Sequence, residues 1–282
     1  MKLLRYGPKG RERPGLLDAR GRIRDLSTII RDIDGAVLSP RGLARLAKVK
    51  PESLPLVKGA PRLGPPVAAP QKFLAIGLNY SDHAAETGAA IPKEPIIFTK
   101  AVSCLSGPHD DLTLPPKSKK TDWEVELGLV IGTRAKNVAK KDALSHVAGY
   151  VLVNDVSERE FQIERGGQWT KGKSYDSFGP VGPWLATADE IPDPQAVTLW
   201  LEVNGRRMQQ GSTATMIFSV AEIVAYVSRF MTLHPGDIIT TGTPPGVGMA
   251  RKPPRFLKPG DEVTLGGDGL GEQAQRVVRD RE

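Results

Sequence analysis

Apolar and polar residues alternate most regularly over residues 121–132. The apolar members occupy the odd-numbered positions and are Trp123, Val125, Leu127, Leu129 and Ile131. Because successive side chains of a β-strand point to opposite faces, this pattern predicts one strand with an apolar face. Glu124 and Glu126 then share the other face, where Gly128 leaves open space beside them. Two neighbouring carboxylates repel each other, so we expect a positive charge at that position.

The pair formed by Glu124 and Glu126 has two interpretations. Both side chains can simply face water on a half-exposed strand. Alternatively, they bind a divalent cation such as Mg²⁺, which prefers carboxylate oxygens as ligands. A cation site of this kind needs a third oxygen ligand, so the pair alone does not decide between the two.

Short apolar runs bounded by Gly and Pro predict further strands. They cover residues 2–6, 14–18, 23–26, 72–78, 95–100, 148–153, 197–203 and 208–211. Asn204-Gly205, between the last two runs, is a strong signal for a tight hairpin turn. With 30 Gly and 24 Pro among 282 residues, turns are frequent. The sequence therefore predicts a mainly β fold of the α+β class.

Helices are predicted at fewer places. Ser39 and Pro40 suit the N-cap and the first position of a short helix that ends at Leu46. A capping box runs from Ser219 to Glu222 and opens the clearest helix of the chain. The apolar stripe of this helix consists of Val220, Ile223, Val224, Val227, Phe230 and Met231. Such a stripe indicates packing against a core rather than a binding surface.

A Pro-rich segment over residues 61–70 interrupts regular structure. We place a domain boundary there, with a small β-rich N-terminal domain over residues 1–66 and a larger domain over residues 67–282. A chain of 282 residues is long enough to give the larger domain an ample core.

The chain carries a formal net charge of +7, and its basic residues cluster around 117–120, 134–141 and 251–258. A nucleic-acid-binding protein would combine such clusters with exposed aromatic residues or a reader helix, and the sequence shows neither pattern. We therefore expect solvent-exposed loops and no nucleic-acid partner. The positive field can still attract an anionic small substrate. The competing hypothesis is a nucleic-acid-binding protein with purely structural acids.

Cysteine content and hydropathy predict a cytoplasmic protein without a membrane partner. Cys104 is the single cysteine, so it forms no internal disulfide, and we expect it to be a small buried side chain. No apolar run is long enough to cross a bilayer, and the first seven residues lack the apolar region of a signal peptide.

A histidine and a glutamate follow the predicted strand 72–78. If Ser81 or Asp82 caps a short helix there, His83 and Glu86 lie three positions apart on one face. A carboxylate beside an imidazole orients the ring, which is how a general base is built. A simple surface ion pair is the alternative. The position directly after a buried strand favours a functional site.

Acidic and polar residues also follow the predicted strand 148–153. Asp155 emerges at its end, either as a ligand or as part of an Asn-Asp turn. Ser157 or Asp155 can cap a helix on which Arg159 and Gln162 project together. Further along, residues 240–248 form a Gly-rich loop. A ligand can approach the backbone of such a loop closely and contact the Thr243 hydroxyl. A plain surface turn is the alternative.

Five motifs stand in a recognisable order. They are Gly77-Leu78-Asn79-Tyr80 with Asp82-His83-Ala84, Asp122-Trp123-Glu124-Val125-Glu126-Leu127, Asn154-Asp155-Val156-Ser157, Lys171-Gly172-Lys173-Ser174, and Thr241-Gly242-Thr243-Pro244-Pro245-Gly246-Val247-Gly248. Together they closely resemble the fumarylacetoacetate hydrolase family, and the match runs from about Lys72 to the end. The resemblance implies a mixed β-roll catalytic domain after a small N-terminal domain, in a homodimer.

The resemblance also implies functional positions. Glu124, Glu126 and Asp155 would bind Mg²⁺ or Mn²⁺, and Ca²⁺ could replace that ion in crystals. His83 and Glu86 would form a water-activating pair on a mobile lid, and Lys173 would stabilise the developing negative charge. The substrate would be held by Tyr80, Arg159, Gln162 and Thr243. The family commonly has Arg at the position of Lys171 and Ala at that of Glu158, so substrate contacts near these two are open.

The implied reaction is hydrolysis of the carbon–carbon bond of a 2,4-diketo acid to pyruvate and a second acid. The stretches 169–173 and 178–184 resemble a bacterial group that includes 2,4-diketo-3-deoxy-sugar-acid hydrolases, often labelled ureidoglycolate lyase. The same site could serve carbon–nitrogen lysis, oxaloacetate decarboxylation, hydration or isomerisation, and the sequence leaves these open.

Overall fold

The computed structural model describes residues 1–88 and 90–280, and this part of the chain is mainly β-structure. The strands are β1 (Lys2–Tyr6), β2 (Arg13–Leu17), β3 (Ile23–Asp25), β4 (Leu63–Gly64), β5 (Phe73–Gly77), β6 (Ile96–Lys100), β7 (Leu105–Ser106), β8 (Leu112–Leu114), β9 (Thr121–Asp122), β10 (Val125–Ile131), β11 (Val147–Asn154), β12 (Ser157–Glu158), β13 (Gly179–Pro180), β14 (Leu185–Thr187), β15 (Thr198–Val203), β16 (Arg206–Ser212), β17 (Ile238–Thr240), β18 (Glu262–Gly267) and β19 (Gly271–Arg279). The α+β class predicted from the sequence is confirmed.

The helices are short and lie between the strands. The α-helices are α1 (Pro40–Leu46), α2 (Ser81–Thr87), α3 (Thr170–Lys173) and α4 (Val220–Phe230); 3₁₀ turns span Pro51–Ser53, Val102–Cys104, Lys140–His146, Ala188–Glu190, Thr213–Thr215 and Gly248–Ala250; a π-helical turn spans Glu160–Glu164. None of the helices in the described ranges combines the length and the apolar character that crossing a membrane requires.

The largest sheet has ten strands in the order β3-β2-β1-β14-β11-β10-β17-β5-β6, with β4 added beside β1. β10 pairs antiparallel with both β11 and β17, and β17 pairs parallel with β5. The start of β10 and the ends of β5, β11 and β17 therefore meet at one edge of this sheet. That edge positions the site described below.

The predicted single strand 121–132 is divided in the structure. β9 pairs with β12, where Ser157 lies opposite Asp122, and β10 begins only at Val125. The expectation of open space at Gly128 was wrong. A Cβ atom there would lie 2.7 Å from Cγ2 of both Val151 and Val153, because β11 packs its valines against this position. The space beside the two glutamates lies at the sheet edge instead.

The second sheet has five strands in the order β16-β15-β18-β19-β8. Its β15-β16 hairpin turns at Asn204 and Gly205, whose φ angles of 53° and 70° belong to the left-handed region. This is the geometry that an Asn-Gly hairpin turn requires, so the turn predicted from the sequence is confirmed.

The N-terminal strands continue the large sheet, because β1 pairs antiparallel with β14 and aligns Lys2 with Ala186. The division at residue 66 remains a prediction. Cys104 is fully buried, as expected, and burial raises the pKa of its thiol to about 11.

Two predicted helix caps are confirmed and two are wrong. The Ser39 hydroxyl caps α1, and Ser219 and Glu222 form the capping box of α4. α2 has no side-chain cap, because its N-cap residue is Tyr80. No helix begins at Ser157, since that residue is drawn into β12.

The stripe of α4 is buried from Val220 to Val227, whereas Phe230 is 59% exposed and packs edge-on against Tyr226. The prediction that Phe230 belongs to the core was therefore wrong. The helix ends at Phe230, so the last turn extends past the surface that the preceding turns cover.

Candidate active site

Three buried carboxylates meet at the sheet edge. Glu124 precedes β10, Glu126 lies within it and Asp155 follows β11. The Asp155 N–H donates a 2.9 Å hydrogen bond to the Glu124 carbonyl, which fixes the two segments side by side. One oxygen from each of the three carboxylates lies within 4.8 Å of the others. We call these three residues the acidic triad.

Two lysines compensate part of this negative charge. Lys173 Nζ lies 2.6 Å from Glu124 Oε2 and 2.7 Å from Asp155 Oδ2. Lys100, the last residue of β6, places its Nζ 2.6 Å from Asp155 Oδ1. Burial lowers the pKa of Lys173, but Asp155 and Glu124 outweigh that effect and raise it overall. Lys173 therefore stays charged inside the site.

Arg159 fixes the far side of Glu124. Its Nη2 lies 2.7 Å from Glu124 Oε1 and 2.9 Å from Asp122 Oδ2. Its Nη1 donates a 3.0 Å hydrogen bond to Gln162 Oε1, so the two side chains project together as predicted. Asp122 also accepts from the backbone N–H groups of Gly248 at 2.7 Å and Met249 at 3.0 Å. It thereby ties Arg159 to the 246–250 loop.

The glutamates of the triad differ in their electrostatics. Burial raises the pKa of Glu124, but Lys173 and Arg159 outweigh it and lower the value to about 2. For Glu126, burial and the charges of Asp155 and Glu124 raise the pKa well above its usual range. The Thr240 hydroxyl and the Gly242 N–H, at 2.8 Å, both donate to Glu126 Oε2. Glu126 is thus the carboxylate with least compensation.

The donor set suits a divalent metal ion. The buried carboxylates at the site belong to Asp122, Glu124, Glu126 and Asp155, and the buried cations to Lys100, Arg159 and Lys173. When all four carboxylates are ionised, one negative charge is left in excess, and it lies on the triad. Oxygen ligands with excess negative charge are what Mg²⁺ and Mn²⁺ prefer. The residues present therefore fit the ion that the family resemblance implies.

Replacing Lys173 with methionine is expected to destabilise the metal-free protein by about 3–5 kcal/mol, because the buried Glu124 Oε2 and Asp155 Oδ2 atoms lose their cation. Mg²⁺ should restore part of this loss by supplying the missing positive charge. Denaturant unfolding with EDTA and with Mg²⁺ measures both effects. The control is Lys140→Met, which removes a surface ion pair with Glu222 and should cost about 0–1 kcal/mol. Equal stability of wild type and Lys173→Met in EDTA would contradict the role of Lys173 as a cation that balances the charge of the acidic triad.

The predicted histidine and glutamate pair is formed. His83 Nδ1 lies 3.0 Å from Glu86 Oε2 on α2. The carboxylate of Glu86 is in turn held by the Gly246 N–H, which lies 3.0 Å from Oε1 and 3.1 Å from Oε2. A glutamate fixed in this way sets the orientation of the imidazole ring.

A cavity of about 190 Å³ brings these groups together. It contains eight of the ten predicted site residues, namely His83, Glu124, Glu126, Asp155, Arg159, Gln162, Lys173 and Thr243. Glu86 does not line the cavity but contacts His83, which does. Tyr80 is fully buried and does not line the cavity, and its hydroxyl has no hydrogen-bond partner among the described residues. Substrate contact by Tyr80 remains a prediction.

The hydroxyl of Thr243 is already used within the protein. It donates to the Val125 carbonyl at 2.9 Å and accepts from Gln209 Nε2 at 2.8 Å. Thr243 lines the cavity, as expected for a residue that contacts the substrate. Its hydroxyl proton, however, is donated to a backbone carbonyl. Its role toward a substrate remains a prediction.

The two departures from the family pattern lie outside the cavity lining. Glu158 is buried and accepts hydrogen bonds from the hydroxyl groups of Ser118 and Thr121. Lys171 donates to the Arg165 carbonyl. Neither side chain alters the cavity wall directly.

Sequence reasoning missed Lys100 and Asp122 as parts of the site. Lys100 carried a signal, since a lysine that ends an apolar strand resembles Asp155 at the end of β11. Asp122 belongs to one of the five motifs, but the Glu124 and Glu126 pair in the same motif was the stronger signal. The basic cluster 251–258 lies elsewhere, in a separate groove of about 900 Å³.

A buried acidic triad beside an oriented histidine, at the edge of a large mixed sheet, defines an enzyme with a place for a divalent metal ion. The particular family follows from comparison: residues 72–278 match the fumarylacetoacetate (FAA) hydrolase C-terminal domain. The chain therefore belongs to the fumarylacetoacetate hydrolase family, which confirms the resemblance seen in the sequence.

Relatives and solved structures agree with this assignment. A protein of Burkholderia cenocepacia (strain HI2424) with a provisional hydrolase name is 62% identical over 98% of this chain and 99% of its own. A fumarylacetoacetate hydrolase from Exiguobacterium antarcticum is 36% identical, with a TM-score of 0.89 over 99% of this chain and 100% of that one. Maleylpyruvate hydrolase from Sphingobium sp. SYK-6, solved with manganese(II) and pyruvate, is 30% identical, with a TM-score of 0.83 over 100% of both chains.

Proposed function

We propose that the protein is a divalent-metal-dependent hydrolase that cleaves the carbon–carbon bond of a 2,4-diketo acid to pyruvate and a second acid. The observation that carries this proposal is the oriented pair of His83 and Glu86 in the same cavity as the acidic triad. Hydrolysis needs a base for water and a site for negative charge, and the cavity offers both. The pyruvate and manganese(II) bound to the Sphingobium relative support this substrate class.

Each step is assigned to a group of this chain. A Mg²⁺ or Mn²⁺ ion held by Glu124, Glu126 and Asp155 would supply Lewis-acid stabilisation of the 2-keto acid end. His83 Nε2 takes a proton from water, and the water oxygen attacks the carbonyl at C4. The C3–C4 bond then breaks, its electron pair passes to the pyruvate enolate, and the proton that His83 took from water is returned to C3 to complete pyruvate.

Other residues orient these groups. Glu86 holds the imidazole so that Nδ1 keeps its proton toward the carboxylate. Lys173, beside the triad, stabilises the negative charge that develops on the enolate. Arg159 holds Glu124, and the Gln162 amide group, whose oxygen accepts from Arg159, presents its N–H donors to the substrate. We also propose a homodimer, which sedimentation analysis can test.

The decisive experiment is a substrate panel with Mg²⁺ present. It contains acylpyruvates, a 2,4-diketo-3-deoxy-sugar acid, oxaloacetate and ureidoglycolate, and each reaction is assayed for its products. We expect pyruvate and a second acid from at least one 2,4-diketo acid, and no turnover in EDTA. Release of urea from ureidoglycolate or of carbon dioxide from oxaloacetate, with no cleavage of diketo acids, would overturn the proposal.

A further inference from the structure

We infer that the substrate's acyl group beyond C4 is uncharged and apolar, and that Leu78, Ile163, Trp169 and Met249 select it. The inference rests on the proposed function, because it concerns the same cavity. It narrows the substrate from 2,4-diketo acids in general to acylpyruvates with an alkyl or aryl tail. Four features of the cavity carry it.

The first feature is an aromatic and aliphatic wall in the same cavity as the acidic triad. Its side chains belong to Ile76, Leu78, Phe98, Ile163, Trp169 and Met249. Phe98 and Trp169 pack edge to face with their ring centroids 5.3 Å apart. Trp169 also lies so close to Gly77 that a Cβ atom at that glycine would collide with the indole ring. The wall is therefore a packed surface against which an apolar group can be buried.

The second feature is the apolar rim of the cavity. Ile163 is 48% exposed and Met249 is 36% exposed, although both are large apolar side chains. Single exposed apolar residues are common, but here two of them line the same cavity as the half-buried Trp169. An apolar substrate tail would remove this surface from water, at a gain of about three- to fourfold in affinity for each methylene group.

The third feature is the backbone of Leu78. This residue follows β5 with φ of 51°, in the left-handed region that favours glycine. A branched side chain at such a position costs free energy that a glycine would avoid. The strained backbone places a leucine, rather than no side chain, at the cavity wall. This placement indicates that the Leu78 side chain contacts the substrate.

The fourth feature is that the lysine and arginine side chains of the cavity lining are already paired. Lys173 contacts Glu124 and Asp155. The Nε, Nη1 and Nη2 atoms of Arg159 contact Asp122, Gln162 and Glu124. Among the described residues that line the cavity, a second carboxylate on the substrate would therefore meet no unpaired lysine or arginine. No lysine or arginine charge of the lining would then be left to offset the desolvation of that carboxylate.

Two substrates with four-carbon acyl groups test the inference with Mg²⁺ present. Butanoylpyruvate carries an uncharged tail, and fumarylpyruvate carries a tail of the same carbon number that ends in a carboxylate. We expect kcat/KM to be at least about tenfold higher for butanoylpyruvate. We also expect kcat/KM to rise from acetylpyruvate to butanoylpyruvate. A higher value for fumarylpyruvate would overturn the inference and leave the proposed function standing. If no acylpyruvate yields pyruvate, the proposed function itself fails.

A charge introduced at the rim should reverse the preference. Ile163→Arg places a cation at the cavity mouth, so the ratio of kcat/KM for fumarylpyruvate to that for butanoylpyruvate should rise about tenfold or more. The matched control is Leu144→Arg, which alters a 42% exposed leucine outside the cavity lining and should leave the ratio unchanged. An unchanged ratio in Ile163→Arg, or an equal rise in Leu144→Arg, would show that Ile163 does not face the substrate tail.

Leu78→Gly provides an independent check. The substitution relieves the left-handed backbone, so the unfolding midpoint should not fall sharply, but it removes part of the apolar wall. We expect kcat/KM to fall more for butanoylpyruvate than for acetylpyruvate. An equal fall for both would mean that Leu78 acts only through the local structure and would remove it from the inference.

Discussion

Glu126→Gln is expected to abolish the stabilisation that Mg²⁺ or Mn²⁺ gives to the wild-type protein. At an ion concentration one hundred times the Kd, binding stabilises the wild type by about 2.7 kcal/mol, and the variant should show no such gain. Turnover should fall by about 10³-fold or more, because loss of metal chemistry removes several kcal/mol of transition-state stabilisation. Thermal unfolding with and without metal, combined with product assays, measures both effects.

Glutamine is the informative substitution at this position, because it removes only the charge. Its side-chain oxygen can still accept from the Thr240 hydroxyl and the Gly242 N–H. The metal-free variant should be at least as stable as the wild type, since the repulsion from Glu124 and Asp155 is lost. Glu158→Gln is the control, as it alters another buried glutamate that accepts from hydroxyl groups but stands outside the triad. A full metal-dependent shift in Glu126→Gln would falsify the ligand assignment.

His83→Gln is expected to retain the metal-dependent stabilisation and to lose turnover by about 10²–10⁴-fold. The variant keeps the acidic triad intact, so metal binding and proton transfer are separated by one substitution. Thermal unfolding with Mg²⁺ reports the first, and pyruvate release from an acylpyruvate reports the second. Glu86→Gln should show a smaller loss, because the ring remains but its orientation is less strongly held.

A second histidine supplies the control for this experiment. The Nδ1 atom of His146 lies 3.1 Å from the Arg134 carbonyl, and His146 does not line the cavity. His146→Gln should keep both turnover and metal stabilisation. Wild-type turnover in His83→Gln would exclude His83 from the mechanism, and loss of the metal-dependent shift in that variant would show that its effect is structural.

Several features that depend on neighbouring residues were predictable from the sequence. The caps at Ser39 and Ser219 use side chains within three positions of their targets. The Asn204-Gly205 turn follows from local backbone preference, and the contact between His83 and Glu86 follows from helical spacing. Each of these needs only one turn of structure to form, so the local sequence is sufficient information.

Features that depend on distant pairing were not predictable in this way. Asp122 binds the N–H of Gly248, 126 positions away, and Lys100 reaches Asp155 across the sheet edge. The crowding at Gly128 arises from valines of β11, which the alternation of residues 121–132 does not reveal. The acidic triad itself became a hypothesis only through the family resemblance, because Asp155 approaches Glu126 through strand pairing rather than through spacing in the chain.

The 246–250 loop contacts both halves of the proposed machinery. Gly246 N–H holds Glu86, the partner of His83, while the N–H groups of Gly248 and Met249 hold Asp122, the partner of Arg159. If α2 moves away from the loop, the Gly246 contact breaks and Glu86 loses the backbone donor that fixes its carboxylate. Because Gly246 and Glu86 lie 160 positions apart in the chain, the orientation of the proposed base depends on this tertiary contact and not on α2 alone.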